Sequence, residues 1–569
     1  DTHDPSVVST MRWAEKLEGT PRHASIHVGG FVITEGALID MVPVEPASMQ
    51  NRTIVQWDKY DAEALGFVKI DILALGILTA IQRTFGLVRR FWGQDLSLAS
   101  VPAACPKVYE MFCRAETIGV FQIESRAQMS MLPRLQPRCY YDLVVEVALV
   151  RPGPIQGGMV HPYLRRRRKE EAITYAHPKL EPILKRTLGV PLFQEQVMQM
   201  AVAVGGFSAG EADQLRRAMG AWRKTGSLDG IGGRFVSGMK ERGISASYAD
   251  AIFRQIQGFA SYGFPESHAA SFALLVYVSG WLKKHYPAAF TAALLNAQPM
   301  GFYAPRTLID DVKRAGVQVF PVCIQRSIWD TDLENLALVV VLRLGFHQVL
   351  GLKRDVIEHL ISVRKHAAFV SLIDVAERSG LGKGALRLLA AAGVFDILEP
   401  NRRRAAWVLE SYQPSPLFQG IGAIVEATEL PIESPMAGVV ADYRSTGLSL
   451  KAHPITLLRE IGTQRPKIAA LVSLKHGSQA EVIGLVLNRQ RPRSANGVTF
   501  LTIEDETGLL NLVVWPKVWS KYHSVACNSI AIGVAGSIQR DGHAISVLVN
   551  HFWALSSPTL LNVPSRDFR

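Results

Sequence analysis

A lysine and an aspartate two residues apart, Lys69 and Asp71, are the residues whose types and spacing most directly suggest chemistry. With the period of two that a strand imposes, Val68, Ile70 and Ile72 lie on one face and the two charged side chains on the other. A carboxylate beside an ammonium group suits a site that handles a metal ion and a phosphate. A solvated strand face with an incidental ion pair is the competing interpretation.

The elements around this strand predict a mixed α/β region over residues 1–95. Residues 27–33 form an apolar segment entered through two glycines, which predicts a strand. The Asp71 strand should run directly into a helix over about residues 75–91. From about residue 105 to 320 the pattern is chiefly helical, interrupted by Gly-Pro turns.

A second group of candidate residues is basic. Residues 208–211 (Ser-Ala-Gly-Glu) have the pattern of a capping box, which predicts the start of a helix that carries Arg216 and Arg217. Arg216, Gly220 and Arg223 recur at the spacing of one helix face, so that face could contact phosphates. A solvated basic face fits the same pattern.

A histidine lies where another helix is expected to begin. Residues 262–268 (Tyr-Gly-Phe-Pro-Glu-Ser-His) lead into an apolar helix that ends near residue 286. Ser267 is the expected N-cap, which places His268 in the first turn. There the positive end of the helix favours a neutral imidazole and nearby anions. A lone histidine at such a position is also a common structural residue.

Two glycine turns between residues 345 and 400 predict tandem helix-turn-helix units. One turn carries Gly351 and Lys353, and the other carries Gly382 and Lys383. Backbone N–H groups exposed beside a lysine suit contact with the DNA backbone without reading of bases. Residues 411–465, rich in proline and serine, are interpreted as a connector.

Short alternating segments between residues 466 and 556 predict a five-stranded OB-type barrel. The predicted strands are 480–487, 498–504, 509–515, 530–534 and 544–549. Arg489, Arg491 and Arg493 are assigned to the first long loop, and a basic loop near aromatic side chains suits single-stranded nucleic acid. The aromatic side chains are Phe500, Trp515, Trp519 and Tyr522, which could equally form the core.

Composition narrows the classes of function. The 569 residues include 48% hydrophobic and 20% charged residues and a net charge of +12, so a folded multidomain protein with a polyanionic partner is expected. The densest basic run is 165–169. Five scattered cysteines without a Cys-x-x-Cys pair fit a reducing cytoplasm and argue against a zinc or disulfide framework. The P-loop, His-Glu-x-x-His and Gly-x-Ser-x-Gly patterns are absent from the sequence.

These segments together resemble the bacterial C family of DNA polymerases, the relatives of the DNA polymerase III alpha subunit. The matching segments, in family order, are 27–33, 67–76, 119–125, 151–154, 194–198, 215–220 and 262–268. Details that resemble the error-prone paralogue are 263–271, 489–492, 504–508, 515–516 and 565–569. The resemblance covers essentially the whole chain, and the last residues look like the natural C-terminus of the family.

The resemblance implies a fold and a set of sites. It implies the carboxy-terminal part of a polymerase-β-like palm over 1–100, helical fingers over 101–335, tandem helix-hairpin-helix units over 336–410, the connector, and an OB domain with a tail over 466–569. Asp71 matches the third of three palm aspartates that hold two Mg²⁺ ions. Residues expected to face the nucleotide are Lys69, Arg216, Arg217, Tyr262 and His268. The resemblance thus implies error-prone templated DNA synthesis.

The sequence departs from the family at its start. The other two aspartates belong to an upstream Asp-x-Asp strand that this chain lacks, and Asp330-Thr331-Asp332 lies far downstream and is interpreted as a decoy. A carboxy-terminal fragment of a polymerase is therefore expected, inactive by itself. A non-catalytic DNA-binding module is the alternative.

Expected partners are primer-template DNA, dNTPs, accessory proteins of the mutagenesis machinery and the sliding clamp, directly or through an adaptor. Residues 413–418 (Gln-Pro-Ser-Pro-Leu-Phe) loosely resemble a clamp-binding peptide, with spacing one residue longer than usual.

Overall fold

The computed structural model of the 569-residue chain divides into two compact units, residues 1–76 and 77–569. The residues that the structure describes are 4–17, 29–47, 51–57, 59–72, 74–151, 158–216, 231–258, 264–301, 303–337, 339–412, 430–460, 465–491, 497–541, 544–555 and 566–568.

The first unit is a small α/β structure built on two antiparallel strand pairs. Its elements are α1 (Pro5–Leu17), β1 (Gly30–Ile33), β2 (Val44–Pro46), β3 (Thr53–Val55), α2 (Lys59–Ala64) and β4 (Val68–Asp71). β1 pairs with β4 and β2 pairs with β3. A small apolar cluster centred on Val42, Ala62 and Phe67 holds the unit together.

The predicted strand around Asp71 is present, but its apolar face is not covered. In the register of the β1–β4 pair, Phe31 lies opposite Ile70 and Ile33 opposite Val68. These four side chains are 41–59% exposed. Lys69 on the other face is exposed as well. The face of the sheet that carries these four apolar side chains is therefore open, whereas Val32 on the other face packs against the small apolar cluster.

The second unit begins with a helical region. Its helices are α3 (Gly76–Trp92), α4 (Pro106–Cys113), α5 (Arg126–Leu135), α6 (Tyr140–Leu149), α7 (Val160–Arg167), α8 (Glu181–Leu184), α9 (Gln194–Ala203), α10 (Ile231–Glu241), α11 (Ala246–Gly258), α12 (Glu266–His285), α13 (Pro287–Asn296) and α14 (Pro305–Arg314). Residues 209–216 are also helical. Proline at the first helical position of α4, α13 and α14 costs no hydrogen bond there and presets the backbone angle. The helical character expected for this region is confirmed.

The longest helix, α12, forms the centre of this region. From Leu275 to Leu282 every residue of α12 is buried, and the helix packs lengthwise against α6. Its first half carries exposed residues, among them His268, Ser271 and Leu274. The helix therefore runs from the protein core at its C-terminal half to an open surface at its N-terminal half.

A three-stranded sheet that the sequence reading missed follows the helices. Its strands are β5 (Val319–Phe320), β6 (Asp332–Leu336) and β7 (Val339–Arg343), in the order β5-β7-β6. Asp330 accepts a hydrogen bond from Arg83 at 3.0 Å, and Asp332 pairs with Arg90. Both arginines belong to α3. The Asp-x-Asp pattern therefore supplies ion pairs, in agreement with its interpretation as a decoy.

Four helices follow the sheet: α15 (Arg354–His366), α16 (Leu372–Ser379), α17 (Lys383–Ala391) and α18 (Arg402–Ser411). The helix-turn-helix predicted around Gly382 is present as the helix pair α16 and α17, which a tight glycine turn joins. The helix-turn-helix predicted around Gly351 differs from the prediction, because the element before this glycine is a 3-10 turn, Phe346–Gln348, and not an α-helix. The connector contains α19 (Pro435–Thr446) and α20 (Pro454–Glu460).

The C-terminal strands close into the predicted barrel. They are β8 (Gln479–Gln490), β9 (Thr499–Asp505), β10 (Gly508–Val514), β11 (Ala531–Asp541) and β12 (Ala544–Ala554), with the short helices α21 (Pro516–Lys521) and α22 (His523–Asn528) between β10 and β11. The closed order is β8-β9-β10-β12-β11-β8, and a short strand, β13 (Arg566–Phe568), adds parallel to β8. The fold class is thus confirmed.

The connector helices pack on the outside of this barrel. Ile483 and Leu485 point outward from β8 and are fully buried against Ile455, Leu457 and other apolar residues of α19 and α20. Burying a leucine or isoleucine side chain is worth roughly 1.5–3 kcal/mol, so this contact fixes the barrel to the connector. The described part of the connector therefore covers one outer surface of the barrel.

Candidate functional site

The candidate catalytic aspartate lies at the end of β4. Its Cα is paired with that of Gly30 on β1, and Lys69 is paired with Val32. The Lys69 side chain is exposed, and the Asp71 side chain lies outside the described part of the structure. Among the described residues, the structure brings together no group of three histidine, cysteine, aspartate or glutamate side chains that could hold a metal ion. The described residues therefore do not make up a two-metal site.

The candidate nucleotide residue His268 lies in the first turn of α12, as predicted, but the expected cap is wrong. The helix begins at Glu266 and its N-cap is Pro265, so Ser267 is already helical. The cap is supplied from another segment: the Glu195 carboxylate accepts a hydrogen bond from the Glu266 backbone N–H at 3.1 Å. A carboxylate at this position also offsets the positive end of the helix.

Hydrogen bonds around Glu195 show how the segment 194–198 fixes the position of the first turn of α12. The Gln194 N–H donates to the Phe264 carbonyl at 3.1 Å. The buried Gln196 amide accepts from the N–H groups of Leu192 and Phe193 and donates to the Ile183 carbonyl and the Thr187 hydroxyl. This amide network holds the start of α9 in place, and α9 in turn positions the first turn of α12.

His268 is held in a stack of rings. Its ring centroid lies 5.1 Å from that of Phe264, edge to face, and 4.1 Å from that of Phe272. Phe272 in turn lies 5.2 Å from Phe121. Burial lowers the pKa of His268, and the nearby positive charge of Arg151 lowers it further. At neutral pH the imidazole is therefore uncharged, as the helix position suggested.

Arg151 is a residue of this site to which the sequence reading gave no role. Its guanidinium carbon lies 3.7 Å from the centroid of the Phe264 ring, a close cation–π contact. The signal was present, because Arg151 opens the segment 151–154 that resembles the polymerase family. The sequence could not show that a residue more than a hundred positions away would pack against Phe264.

The candidate phosphate-binding helix begins as predicted. The Ser208 N–H donates to the Glu211 carboxylate at 2.8 Å, and the Glu211 N–H donates to the Ser208 hydroxyl at 3.3 Å. The first of these bonds, with the ion pair to Arg234, lowers the pKa of Glu211 to about 2. Arg216 is partly exposed and its Nε donates to Asp213 at 2.8 Å. Four other candidate residues of this region lie outside the described residues: Arg217, Gly220, Arg223 and Tyr262.

The basic run 165–169 turns out to be largely structural. Arg167 donates twice to the Asp142 carboxylate, at 2.6 and 2.7 Å, and also to two backbone carbonyls. Arg165 and Arg166 both pair with Glu171. Three of the five basic residues thus have a carboxylate partner within the chain, which makes this run a poor candidate for DNA binding.

The two glycine turns differ in what they offer to DNA. Gly351 has the left-handed backbone that favours glycine, φ +84°, and the exposed Lys353 is the N-cap of the thirteen-residue helix α15. Gly382 is the N-cap of α17. The Lys383 ammonium, by contrast, donates to the Glu410 carbonyl at 3.1 Å. Lys353 is therefore the better placed of the two lysines to meet a phosphate.

The predicted basic loop of the barrel is only partly a loop. Arg489 lies within β8 and is 7% exposed, so its assignment to the loop is wrong. Its guanidinium donates to the carbonyls of Ala526 and Ser529 at 2.6 and 2.7 Å. Arg491 is exposed directly after the strand, and Arg493 lies outside the described residues.

The aromatic residues of the barrel divide into two pairs. Trp519 and Tyr522 pack in or against the barrel core. Phe500 and Trp515 are 38% and 54% exposed. Phe500 on β9 is paired with Val513 on β10, and Trp515 follows that strand by one residue, so both aromatics lie at the same end of the β9–β10 pair. Together with Arg491 they form an exposed patch, which we call the barrel patch, that suits base stacking and phosphate contact.

The other end of β9 is buried by the helical region. Glu504 is 1% exposed, and its carboxylate lies 3.9 Å from the buried Arg306 of α14. Burial raises the pKa of Glu504 to about 7, against the opposing attraction of Arg306. Neither carboxylate oxygen has a hydrogen-bond partner among the described residues. The two ends of β9 thus differ, since Phe500 is exposed and Glu504 is buried.

Family models match four parts of the chain. They are a bacterial DNA polymerase III alpha NTPase domain over residues 1–74, a bacterial DNA polymerase III alpha subunit finger domain over 77–243, a helix-hairpin-helix motif over 316–405, and an OB-fold nucleic acid binding domain over 480–555. These matches follow the order of the elements described above.

Curated relatives are similar to the chain over its whole length. An error-prone DNA polymerase of Pseudomonas fluorescens is 49% identical over 575 residues, and one of Alkalilimnicola ehrlichii is 50% identical over 572 residues. The matches cover 100% and 99% of this chain and 56% of each relative. Error-prone DNA polymerase 3 of Agrobacterium fabrum is 47% identical, over 99% of this chain and 53% of the relative. The chain thus spans about half the length of the curated relatives it matches.

Proposed function

Because the chain belongs to the bacterial C family of DNA polymerases, in its error-prone branch, we propose that it supplies the nucleotide-facing and DNA-holding parts of an error-prone polymerase. The observation that carries this proposal is the identity of about half of all residues, over essentially the whole chain, with proteins named error-prone DNA polymerase. The reaction is primer extension, in which the primer 3′-hydroxyl attacks the α-phosphate of a dNTP and pyrophosphate leaves.

In this proposal the residues of the first unit act on the phosphates. Lys69, an exposed ammonium two residues before Asp71, offers a charge to the incoming triphosphate. Asp71 is the palm carboxylate that we assign to this site. Two Mg²⁺ ions are the expected cofactor; Asp71 would hold them together with further carboxylates, and the ions would stabilise the charge on the phosphates.

The second unit acts on the nucleotide and the DNA. We assign Arg216 and Arg217 to the triphosphate, the uncharged His268 to the nucleotide sugar, and Tyr262 to nucleotide binding. The turn at Gly351 and Lys353 holds the duplex backbone, and the barrel patch binds single-stranded template. The protein acts in the cytoplasm during damage-induced mutagenesis, with accessory proteins and the sliding clamp as partners. The clamp-peptide candidate, residues 413–418, lies outside the described residues.

A second function is favoured for the chain by itself. A non-catalytic DNA-binding module is this second candidate, and the helix-hairpin-helix match over residues 316–405 and the OB-fold match over residues 480–555 support it. Both candidates bind DNA, and they differ in whether Lys69 and Arg216 meet a nucleotide.

A primer-extension assay separates the two candidates. The 569-residue chain and the longer protein that carries it are each given primer-template DNA, dNTPs and Mg²⁺. We expect DNA binding from both and extension from the longer protein alone. Extension by the 569-residue chain would show that the catalytic carboxylates have been assigned wrongly. DNA binding without extension by the longer protein would leave the binding module as the function.

A further inference from the structure

Arg151 is aimed at the ring stack by a tight turn of the backbone. Helix α6 ends at Leu149, and Val150 has the angles of an inverse γ-turn, φ −87° and ψ 71°. The Arg151 N–H donates to the Leu149 carbonyl at 3.0 Å, which closes that turn. The guanidinium is thereby placed 3.7 Å from the Phe264 centroid. Phe264 itself is 4% exposed, so it cannot move away from the contact easily.

The position of Phe264 in turn restricts the His268 ring, because the two rings are in contact. Phe264 and Phe272 both contact the imidazole, one edge to face at 89° and the other at a centroid distance of 4.1 Å. The imidazole lies on the open half of α12, whereas its two aromatic neighbours are buried or partly buried. An exposed histidine between two fixed rings has few rotamers left, which is the preorganisation that a substrate contact needs.

Two carboxylates near the start of α12, those of Glu266 and Glu195, already have hydrogen-bond or ion-pair partners. The Glu266 carboxylate accepts from the Tyr141 hydroxyl at 2.8 Å and lies 3.3 Å from the Arg186 guanidinium. The Glu195 carboxylate is bound to the helix N-terminus. Arg151 is the charged group that acts directly on His268.

We propose that Arg151 is a positioning residue for nucleotide incorporation, which acts on the His268 imidazole directly by its positive charge and, by packing on Phe264, fixes the orientation of the ring. The proposal rests on the proposed function, since it assigns His268 to the nucleotide. Its physical part, the coupling of Arg151 to His268, can be measured without any synthesis.

The coupling is tested by histidine NMR on the 569-residue chain with ¹³C-labelled imidazole, the His268 signal being assigned from the His268→Gln variant. We expect Arg151→Gln to raise the titration midpoint of His268, because a nearby positive charge is removed. Arg151→Lys should restore most of the midpoint. Arg165→Gln, which removes an exposed arginine paired with Glu171, is the matched control and should leave it unchanged. An unchanged midpoint in a folded Arg151→Gln chain overturns the proposal.

The consequence for synthesis is tested by a double-mutant cycle in the longer protein. We expect Arg151→Gln to lower kcat/KM for dNTP about 10-fold, and to lower it less than about 2-fold when His268 is already glutamine. Additive losses would mean that Arg151 acts on the substrate by another route, which overturns the proposal. If the parent protein synthesises no DNA, the proposed function fails, while the NMR titration still decides the coupling.

Discussion

Arginine side chains that belong to one sequence motif have different roles in this structure, since some stabilise the fold and others remain exposed. The run 165–169 and the pair Arg489 and Arg491 show this most clearly. A guanidinium has five donors, so it can brace a fold as readily as it can bind a phosphate. Burial separates the two uses: Arg489 is enclosed by carbonyls, whereas Arg491 is exposed to solvent.

The first residue-level prediction concerns Asp71. In the longer protein, Asp71→Asn keeps the size of the side chain but removes the charge that the proposed metal site needs. We expect extension to fall by a factor of about 10³ or more, with DNA affinity retained. Single-turnover extension and a binding titration measure the two quantities separately. A rate within a few-fold of the parent would leave Asp71 as an ordinary strand residue.

The second residue-level prediction contrasts two arginines. Arg489→Ala leaves the Ala526 and Ser529 carbonyls without their charged donor, so we expect a loss of about 3 kcal/mol in the free energy of unfolding. Arg491→Ala should leave stability unchanged and weaken single-stranded DNA binding. Chemical denaturation and fluorescence anisotropy with an oligothymidine measure both variants. Equal stability of the two variants would contradict this assignment.

At the scale of elements, the glycine turns and the barrel show how helix ends and strand ends create binding surfaces. The turns expose backbone N–H groups at the N-termini of α15 and α17, where a helix dipole favours phosphate. In the barrel, the end of β9 and β10 that carries Phe500 and Trp515 is exposed. Neither surface contains an evident base-reading constellation, so binding without sequence preference is expected.

The element-level prediction compares the two turns by salt dependence. Each phosphate contact adds roughly −0.7 to −0.9 to the slope of log affinity against log salt concentration. Lys353→Ala should therefore flatten the slope for duplex DNA by about one contact. Lys383→Ala should change it less, because its ammonium is bound to the Glu410 carbonyl. Anisotropy titrations of the whole chain at several salt concentrations provide the slopes, and a larger change for Lys383→Ala would reverse the assignment.

At the scale of the second unit, buried charges join regions that are far apart in sequence. Arg402 of α18 pairs with Asp442 of α19 at 2.6 Å, which ties the glycine-turn helices to the connector. Glu504 of the barrel faces groups from three helices: Arg126 of α5, Arg306, Asp310 and Arg314 of α14, and Tyr443 of α19.

Among the described residues, no α-helix combines the length and the apolar composition that a membrane span requires.

The prediction at this scale is a pH dependence of stability. The pKa of Glu504 is raised from 4.5 to about 7 in the folded chain, so folding favours its protonated form. Its contribution is fully present below about pH 4.5 and is lost as the pH rises through about 7. Thermal unfolding between pH 5 and pH 8 should therefore show a decline that is smaller in Glu504→Gln. The exposed Glu481→Gln is the control, and an identical decline in all three proteins would contradict the prediction.

Local sequence patterns were sufficient to predict many of the strands and helix starts, because these features depend on residues that are close together in the chain. The period of two around Asp71, the capping box at 208–211 and the five barrel strands were all readable in the sequence, and each reappears in the structure. The same holds for His268 in a first helical turn. In these cases the backbone hydrogen bonds and side-chain alternation are set within a few residues.

Tertiary structure alone decided which of these residues are available. Arg489 is buried by a strand that extends farther than its hydrophobic pattern, and Ser267 loses its capping role to Glu195 from another segment. Glu504 is covered by α14, and Arg151 reaches His268 through Phe264. Each outcome depends on contacts between segments tens to hundreds of residues apart. A sequence pattern shows which side chains could bind DNA or a nucleotide, but burial and competing partners decide which of them remain free to do so.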